Sequence, residues 1–222
     1  YVSIFEKKIS SYLKSRFAIA CINGTSALQV SLRVLGVTQG DEVIVPTITF
    51  VSPINSVIYN NAKPIFMDVD DFYNLDVNKT IEFINHETIY KKKFIFNKKT
   101  GKKIAAIIVV HVWGNAVDLE KLISLCKKRN ISIIEDAAQS FGTKYTKGKL
   151  KNKFTGTIGK LGCLSFNGNK TLTAGGGGMI VTNDKKLAKK ARYLVNQAKD
   201  DNFKYIHNDI GYNFKLTNIH AA

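Results

Sequence analysis

Three short segments of this 222-residue chain hold side chains whose types and spacing could do chemistry. The first is Asn23-Gly24-Thr25-Ser26-Ala27-Leu28. A Gly-Thr-Ser turn opening a helix offers backbone N–H groups, two hydroxyls and the positive end of the helix dipole, a combination suited to a phosphate. Thr25 or Ser26 could equally be an ordinary helix cap. The second is Ile133-Ile134-Glu135-Asp136-Ala137-Ala138-Gln139, an apolar strand that ends in carboxylates. Asp136 there could pair with the protonated ring nitrogen of a pyridine cofactor, or cap a short helix that follows. The third is Ser165-Phe166-Asn167-Gly168-Asn169-Lys170, leading into the run Gly175 to Gly178. A lysine in a glycine-rich polar loop after a strand is a candidate imine former, acting through its neutral amine, and Ser165 could bind a phosphate. The alternative for Lys170 is one more surface lysine. The glycine run does not match the dinucleotide pattern GxGxxG in a strand–turn–helix unit.

Ligands of open parallel sheets sit at the carboxyl ends of strands, so the elements around these segments matter. Apolar spacing predicts a helix from Ser3 to Lys14, and a second from the Gly24 turn through Leu35, closed by Gly36. Val43 to Val45 reads as a buried strand ending at Pro46, followed by a helix from Phe50 to Asn60 with Pro53 in its first turn. Pro64 to Asp68 is a strand, and Asp76 caps a helix through Ile84. Residues 85–103 are polar, lysine-rich and poorly periodic, and read as a surface insertion. Ile104 to Val110 is a strand, Asp118 caps a helix to Arg129, and Ile131 to Ile134 is the next strand. Strands at Cys163–Phe166 and Met179–Thr182 and a helix from Asp184 to Gln197 complete the pattern. Strands apolar on both faces alternating with amphipathic helices specify an α/β fold: three layers, with a mostly parallel, mixed central sheet and helices on both faces.

Composition narrows the function. With 45% hydrophobic residues the chain can bury a core and is not disordered. Its net charge of +16 comes almost entirely from lysine, the only arginines being Arg16, Arg33, Arg129 and Arg192. Readers of nucleic acid lean on the planar fork of arginine, so neither nucleic acid nor membrane is an expected partner; the field could instead attract an anionic small substrate. Cys21, Cys126 and Cys163 are far apart, which argues against zinc or a disulfide framework and fits a reducing, cytoplasmic compartment. No metal site is expected. His111 and Trp113, after the strand Ile104–Val110, read as structural and packing residues respectively.

Taken together, NGTSAL, GDEVIVPTITFV, EDAAQS, SFNGNK, the glycine run and the closing GYNFKLTNIHAA resemble the DegT-type sugar aminotransferases, which share the aspartate-aminotransferase (type I) fold of pyridoxal-phosphate enzymes. The resemblance runs from Cys21 to the end of the chain. It implies pyridoxal 5'-phosphate as cofactor, with Lys170 as the Schiff-base lysine and Asp136 facing the pyridine nitrogen. It also implies Gln139 near the ring oxygen, Phe50 stacked on the ring, and Gly24, Thr25, Ser26 and Ser165 at the phosphate. Asn213 would reach the phosphate from the neighbouring subunit of a homodimer with shared active sites. The implied reaction moves an amino group from a donor, L-glutamate in the family, to a keto-sugar linked to a nucleotide, for amino-sugar and surface-glycan biosynthesis. Residues 1–222 would form the large cofactor-binding domain without the family's smaller C-terminal domain, which leads to an expectation of cofactor binding with weak turnover. Lysine-free sugar dehydratases, a cofactor-binding regulatory relative and a basic nucleic-acid-binding protein are the other readings; Lys170 opposes the first.

Overall fold

The computed structural model describes residues 1–201 and 203–222. In chain order the elements are α1 (Val2–Leu13), β1 (Phe17–Cys21), α2 (Gly24–Val34), β2 (Glu42–Pro46), α3 (Val51–Tyr59), β3 (Lys63–Met67) and α4 (Val77–His86). They continue with β4 (Thr88–Lys91), β5 (Phe94–Asn97), β6 (Lys103–Val110), α5 (Glu120–Arg129), β7 (Ser132–Asp136), β8 (Leu161–Ser165), β9 (Gly178–Thr182), α6 (Lys185–Val195) and α7 (Asn218–Ala221). The sheet runs β1-β9-β8-β7-β6-β2-β3. Strands β8, β7, β6, β2 and β3 pair in parallel, while β9 is antiparallel to both β8 and β1. The mixed sheet expected from the sequence is therefore present.

The two-residue period of each strand sends alternate side chains to opposite faces. On β7, Ile134 enters the core built with α2 and α6 (Leu28, Leu32, Leu194), and Ile133 enters the one built with α4 and α5 (Ile84, Leu122). A third cluster, around Phe166 and Met179, is closed by Ile9 and Leu13 of α1. The sheet edge at β1 is protected: Glu6 of α1 accepts the Ala20 N–H at 2.8 Å and takes two hydrogen bonds from Arg192 of α6, at 3.0 and 2.8 Å.

Several expectations need correcting. Residues 17–21, to which the sequence reading gave no element, form β1, paired antiparallel with residues 178–182. Residues 85–103 are not an irregular excursion: α4 runs to His86, and β4 and β5 form a hairpin that joins the sheet through Ile95↔Ile104. Its turn holds Lys92 and Lys93 at φ 52° and 65°, a conformation usually given to glycine or asparagine, so the turn carried no sequence signal. The cap of α2 is Asn23, whose side chain accepts the Ser26 N–H, rather than Thr25 or Ser26. Helix α5 begins at Glu120 with Leu119 at its cap, and Asp118 makes only a long contact with the Glu120 N–H, 3.4 Å.

One buried carboxylate fastens the strands that carry the site. Glu135, fully buried on β7, takes a hydrogen bond from His111 Nε2 at 2.9 Å and from the Gly156, Ile158 and Gly159 amides at 2.9, 2.6 and 2.6 Å. His111 Nδ1 accepts the Val117 N–H at 3.1 Å, so the ring donates to Glu135 through Nε2. This ties the exit of β6 and the loop into β8 to β7. Glu135→Ala strands these donors inside the core, each at about 1–3 kcal/mol. We expect chemical denaturation to show a loss of about 3 kcal/mol or more, with His111→Ala costing less because it orphans fewer partners.

Candidate active site

The carboxyl ends of β2, β6, β7 and β8 lie side by side, with Val110 opposite Asp136 and Asp136 opposite Cys163. Beyond them opens a pocket of about 280 Å³ lined by Ile48, Thr49, Phe50, Val110, Val112, Trp113, Asp136, Gln139 and Lys170. Four residues singled out in the sequence, Phe50, Asp136, Gln139 and Lys170, thus meet in one slot although up to 120 positions separate them.

Asp136 follows Glu135, so strand alternation points it the other way. Its Oδ1 accepts the Ala138 N–H at 3.0 Å in a turn rather than a helix. Burial pushes its carboxyl above its ordinary pKa, and the Ala138 N–H and the nearby Lys170 ammonium only partly offset this. Lys170 lies half-buried in the loop after β8, where its N–H bonds the Asn167 carbonyl at 3.0 Å; the loop is closed by Ala174 N–H to the Phe166 carbonyl, also 3.0 Å. Gln139 Oε1 accepts the Trp113 N–H at 2.9 Å, which leaves its NH₂ as the free donor.

The segments expected to hold a phosphate lie together. A Cβ on Gly24 would stand 3.0 Å from Ser165 Cβ, so the α2 N-terminus abuts the end of β8. Thr25 Oγ1 bonds Ser52 Oγ at 2.7 Å, which joins the N-termini of α2 and α3 beside Phe50. The first-turn amides of Gly24 and Thr25 have no acceptor within their own helix. The glycine run closes the arrangement from behind: a Cβ on Gly178 would lie 2.3 Å from the Asn23 backbone, so only glycine allows β9 this approach. Asn213 is elsewhere. It is exposed, bridges to Asn196 and lies outside the pocket lining.

Two pocket residues were misread or missed. Trp113, expected to pack, is 70% exposed, because its backbone is left-handed (φ 51°, ψ 27°) and turns the indole out of the core. That conformation costs a non-glycine residue about 1–2 kcal/mol. Thr49 was passed over, yet among the described residues its Oγ1 is the one buried side-chain polar atom without a hydrogen-bond partner. The buried Asp136 carboxylate and the exposed Phe50 ring in one slot fit a flat polar ligand, and the adjoining helix N-terminus fits its phosphate. The three cysteines take no part: all are buried and free of disulfides, and burial pushes their thiols up, Cys126 to about 12.

A raised Asp136 pKa means that the folded protein holds its proton more tightly than the unfolded chain. Stability from this group is then fully present below the ordinary carboxylate value and is lost as pH rises through the folded pKa. Asp136→Asn is therefore expected to equal or exceed the parent protein in stability at neutral pH without added ligand, the advantage shrinking as pH falls. Denaturation curves across the acid range check this; a mutant much weaker at neutral pH would contradict the shift.

A family model described as the DegT/DnrJ/EryC1/StrS aminotransferase family matches residues 1–222. The chain is 39% identical over 222 residues to GDP-perosamine synthase of Escherichia coli O157:H7, covering all of this chain and 56% of that one. A DegT DnrJ EryC1 StrS aminotransferase from Brucella abortus superimposes with a TM-score of 0.88 at 35% identity, over 99% of this chain and 56% of that one. Ntda from Bacillus subtilis, solved with bound cofactor PMP, gives 0.82 at 28% identity over 100% of this chain and 46% of that one. The chain thus spans about half the length of these relatives. With its site segments in order and a family match from the first residue to the last, the chain belongs to the DegT/DnrJ/EryC1/StrS aminotransferase family.

Proposed function

We propose that the protein is a pyridoxal-phosphate-dependent aminotransferase that moves an amino group from L-glutamate to a keto-sugar linked to a nucleotide, in amino-sugar and surface-glycan biosynthesis. The observation that carries this reading is the meeting of Lys170, Asp136, Gln139 and Phe50 in one pocket at the carboxyl edge of the sheet. The GDP-perosamine synthase relative supports a nucleotide-linked sugar as acceptor.

When bound, pyridoxal phosphate supplies an electron sink for charge that develops at the donor's α-carbon. Lys170 Nζ would hold the cofactor covalently and, once free, would serve as general base and acid. Asp136 would keep the ring nitrogen protonated, and that positive partner would in turn favour the carboxylate which burial otherwise opposes. The free NH₂ of Gln139 would serve the ring oxygen, and Phe50 would supply a flat apolar face for the ring. Gly24, Thr25, Ser26 and Ser165 would hold the phosphate at the positive end of α2.

Residues 1–222 act in this reading as the large cofactor-binding domain of a homodimer. The exposed Asn213, outside its own chain's pocket, reaches the partner's phosphate, and a two-fold pair completes two equal sites. Three buried, disulfide-free thiols fit a reducing cytoplasmic location. No helix among the described residues is long and apolar enough to cross a membrane.

The protein loaded with pyridoxal phosphate should convert L-glutamate to 2-oxoglutarate in a single turnover without any acceptor. Lys170→Ala should slow this by about 10²–10⁴-fold and leave the thermal unfolding curve unchanged. Normal turnover in that mutant would remove Lys170 from the mechanism. Asn213→Ala should weaken cofactor binding in a dimeric protein; a monomer whose affinity ignores Asn213 would refute the shared site but not the activity.

A further inference from the structure

The pocket presents two exposed aromatic faces, Phe50 at 68% and Trp113 at 70% exposure, whereas one covering aromatic suffices for a flat cofactor ring. Trp113 is the only tryptophan in the 222 residues. The fold fixes it there by several contacts. Gln139 holds its N–H, and the Tyr73 ring meets the indole edge-to-face at 5.3 Å and 68°. Tyr73 is itself left-handed, at φ 63°, and exposed. The buried Asn74 beside it clamps the segment on both sides of Trp113: its Oδ1 accepts the Val112 N–H at 3.1 Å and its NH₂ donates to the Asn115 carbonyl at 3.4 Å. Two aromatic residues in strained backbone, joined by one buried amide, form a preorganised surface rather than an accidental protrusion.

Resting on the aminotransferase reading above, we propose that Trp113, backed by Tyr73, is the platform on which the sugar ring of the nucleotide-linked acceptor lies, and so helps to determine acceptor specificity. A pyranose has an apolar face of C–H bonds and a rim of polar groups. The indole of Trp113, which lines the pocket, takes the first. Lys170 and Asp136 line that pocket too, so a ring on Trp113 stands beside the reacting groups.

The test uses unreactive nucleotide sugars, GDP-mannose, UDP-N-acetylglucosamine and dTDP-glucose, each against its bare nucleotide, with the protein loaded with pyridoxal phosphate. The difference in emission between the parent protein and Trp113→Phe isolates the signal of Trp113. At least one sugar nucleotide should change that signal while its bare nucleotide does not. By equilibrium dialysis, Trp113→Ala should bind that sugar nucleotide about tenfold more weakly, Trp113→Phe should recover most of the loss, and affinity for pyridoxal phosphate should hold in both. Unchanged sugar-nucleotide affinity in Trp113→Ala would overturn the proposal. So would an equal response to bare nucleotide, a parallel loss of cofactor affinity, or no binding of any of the three sugars by the parent protein. Failure of the parent protein to turn over L-glutamate would instead count against the aminotransferase reading.

Discussion

The Glu135 carboxylate is the interaction on which the site depends. It is fully buried, an expensive placement unless its lone pairs are satisfied, and its four hydrogen bonds from His111, Gly156, Ile158 and Gly159 do so. Those donors come from the exit of β6 and from the loop that enters β8. One group therefore fixes three neighbouring strand ends relative to one another. Because strand side chains alternate, the same placement that buries Glu135 on one face delivers Asp136 to the pocket on the other. A one-residue slip of β7 would exchange the two carboxylates and lose both the scaffold and the site.

The pocket itself sacrifices stability. Asp136 is buried with a raised pKa, the Thr49 hydroxyl is unsatisfied, and Trp113 holds a left-handed backbone with an exposed indole. Each would be a defect in a purely structural region, and their concentration in one slot at the sheet's carboxyl edge is what a ligand site requires. The surrounding cores on both faces of the sheet, and the clamp of α1 onto β1 through Glu6 and Arg192, supply the rigidity that tolerates them.

Much of this was legible in the sequence, for reasons that also explain what was not. The strands Glu42–Pro46, Lys63–Met67 and Ser132–Asp136 each contain a short apolar run between helical patterns, so local periodicity found them. Gly24, Asp136 and Ser165 sit at a helix start and at strand ends, where local signals are strong, and Lys170 follows in the loop after β8. Features set by distant partners stayed hidden. Strand β1 is five residues long and is defined by its pairing with β9. The β4–β5 hairpin turns on Lys92-Lys93, which carry none of the usual turn chemistry. The scaffold role of Glu135 depends on three amides more than twenty positions away in the chain, and the exposure of Trp113 on a backbone angle that its residue type disfavours. The role proposed for Asn213 rests on family resemblance alone, and in its own chain the residue lies outside the pocket lining.

The central claim is that one lysine, among the 29 left when four arginines are taken from 33 basic residues, has been set apart for covalent chemistry. Borohydride reduction of the protein after loading with pyridoxal phosphate, followed by peptide mapping, tests this directly. A single stable adduct per chain, on Lys170, is the outcome required. Label spread over surface lysines, or concentrated on another such as Lys160, would contradict the account.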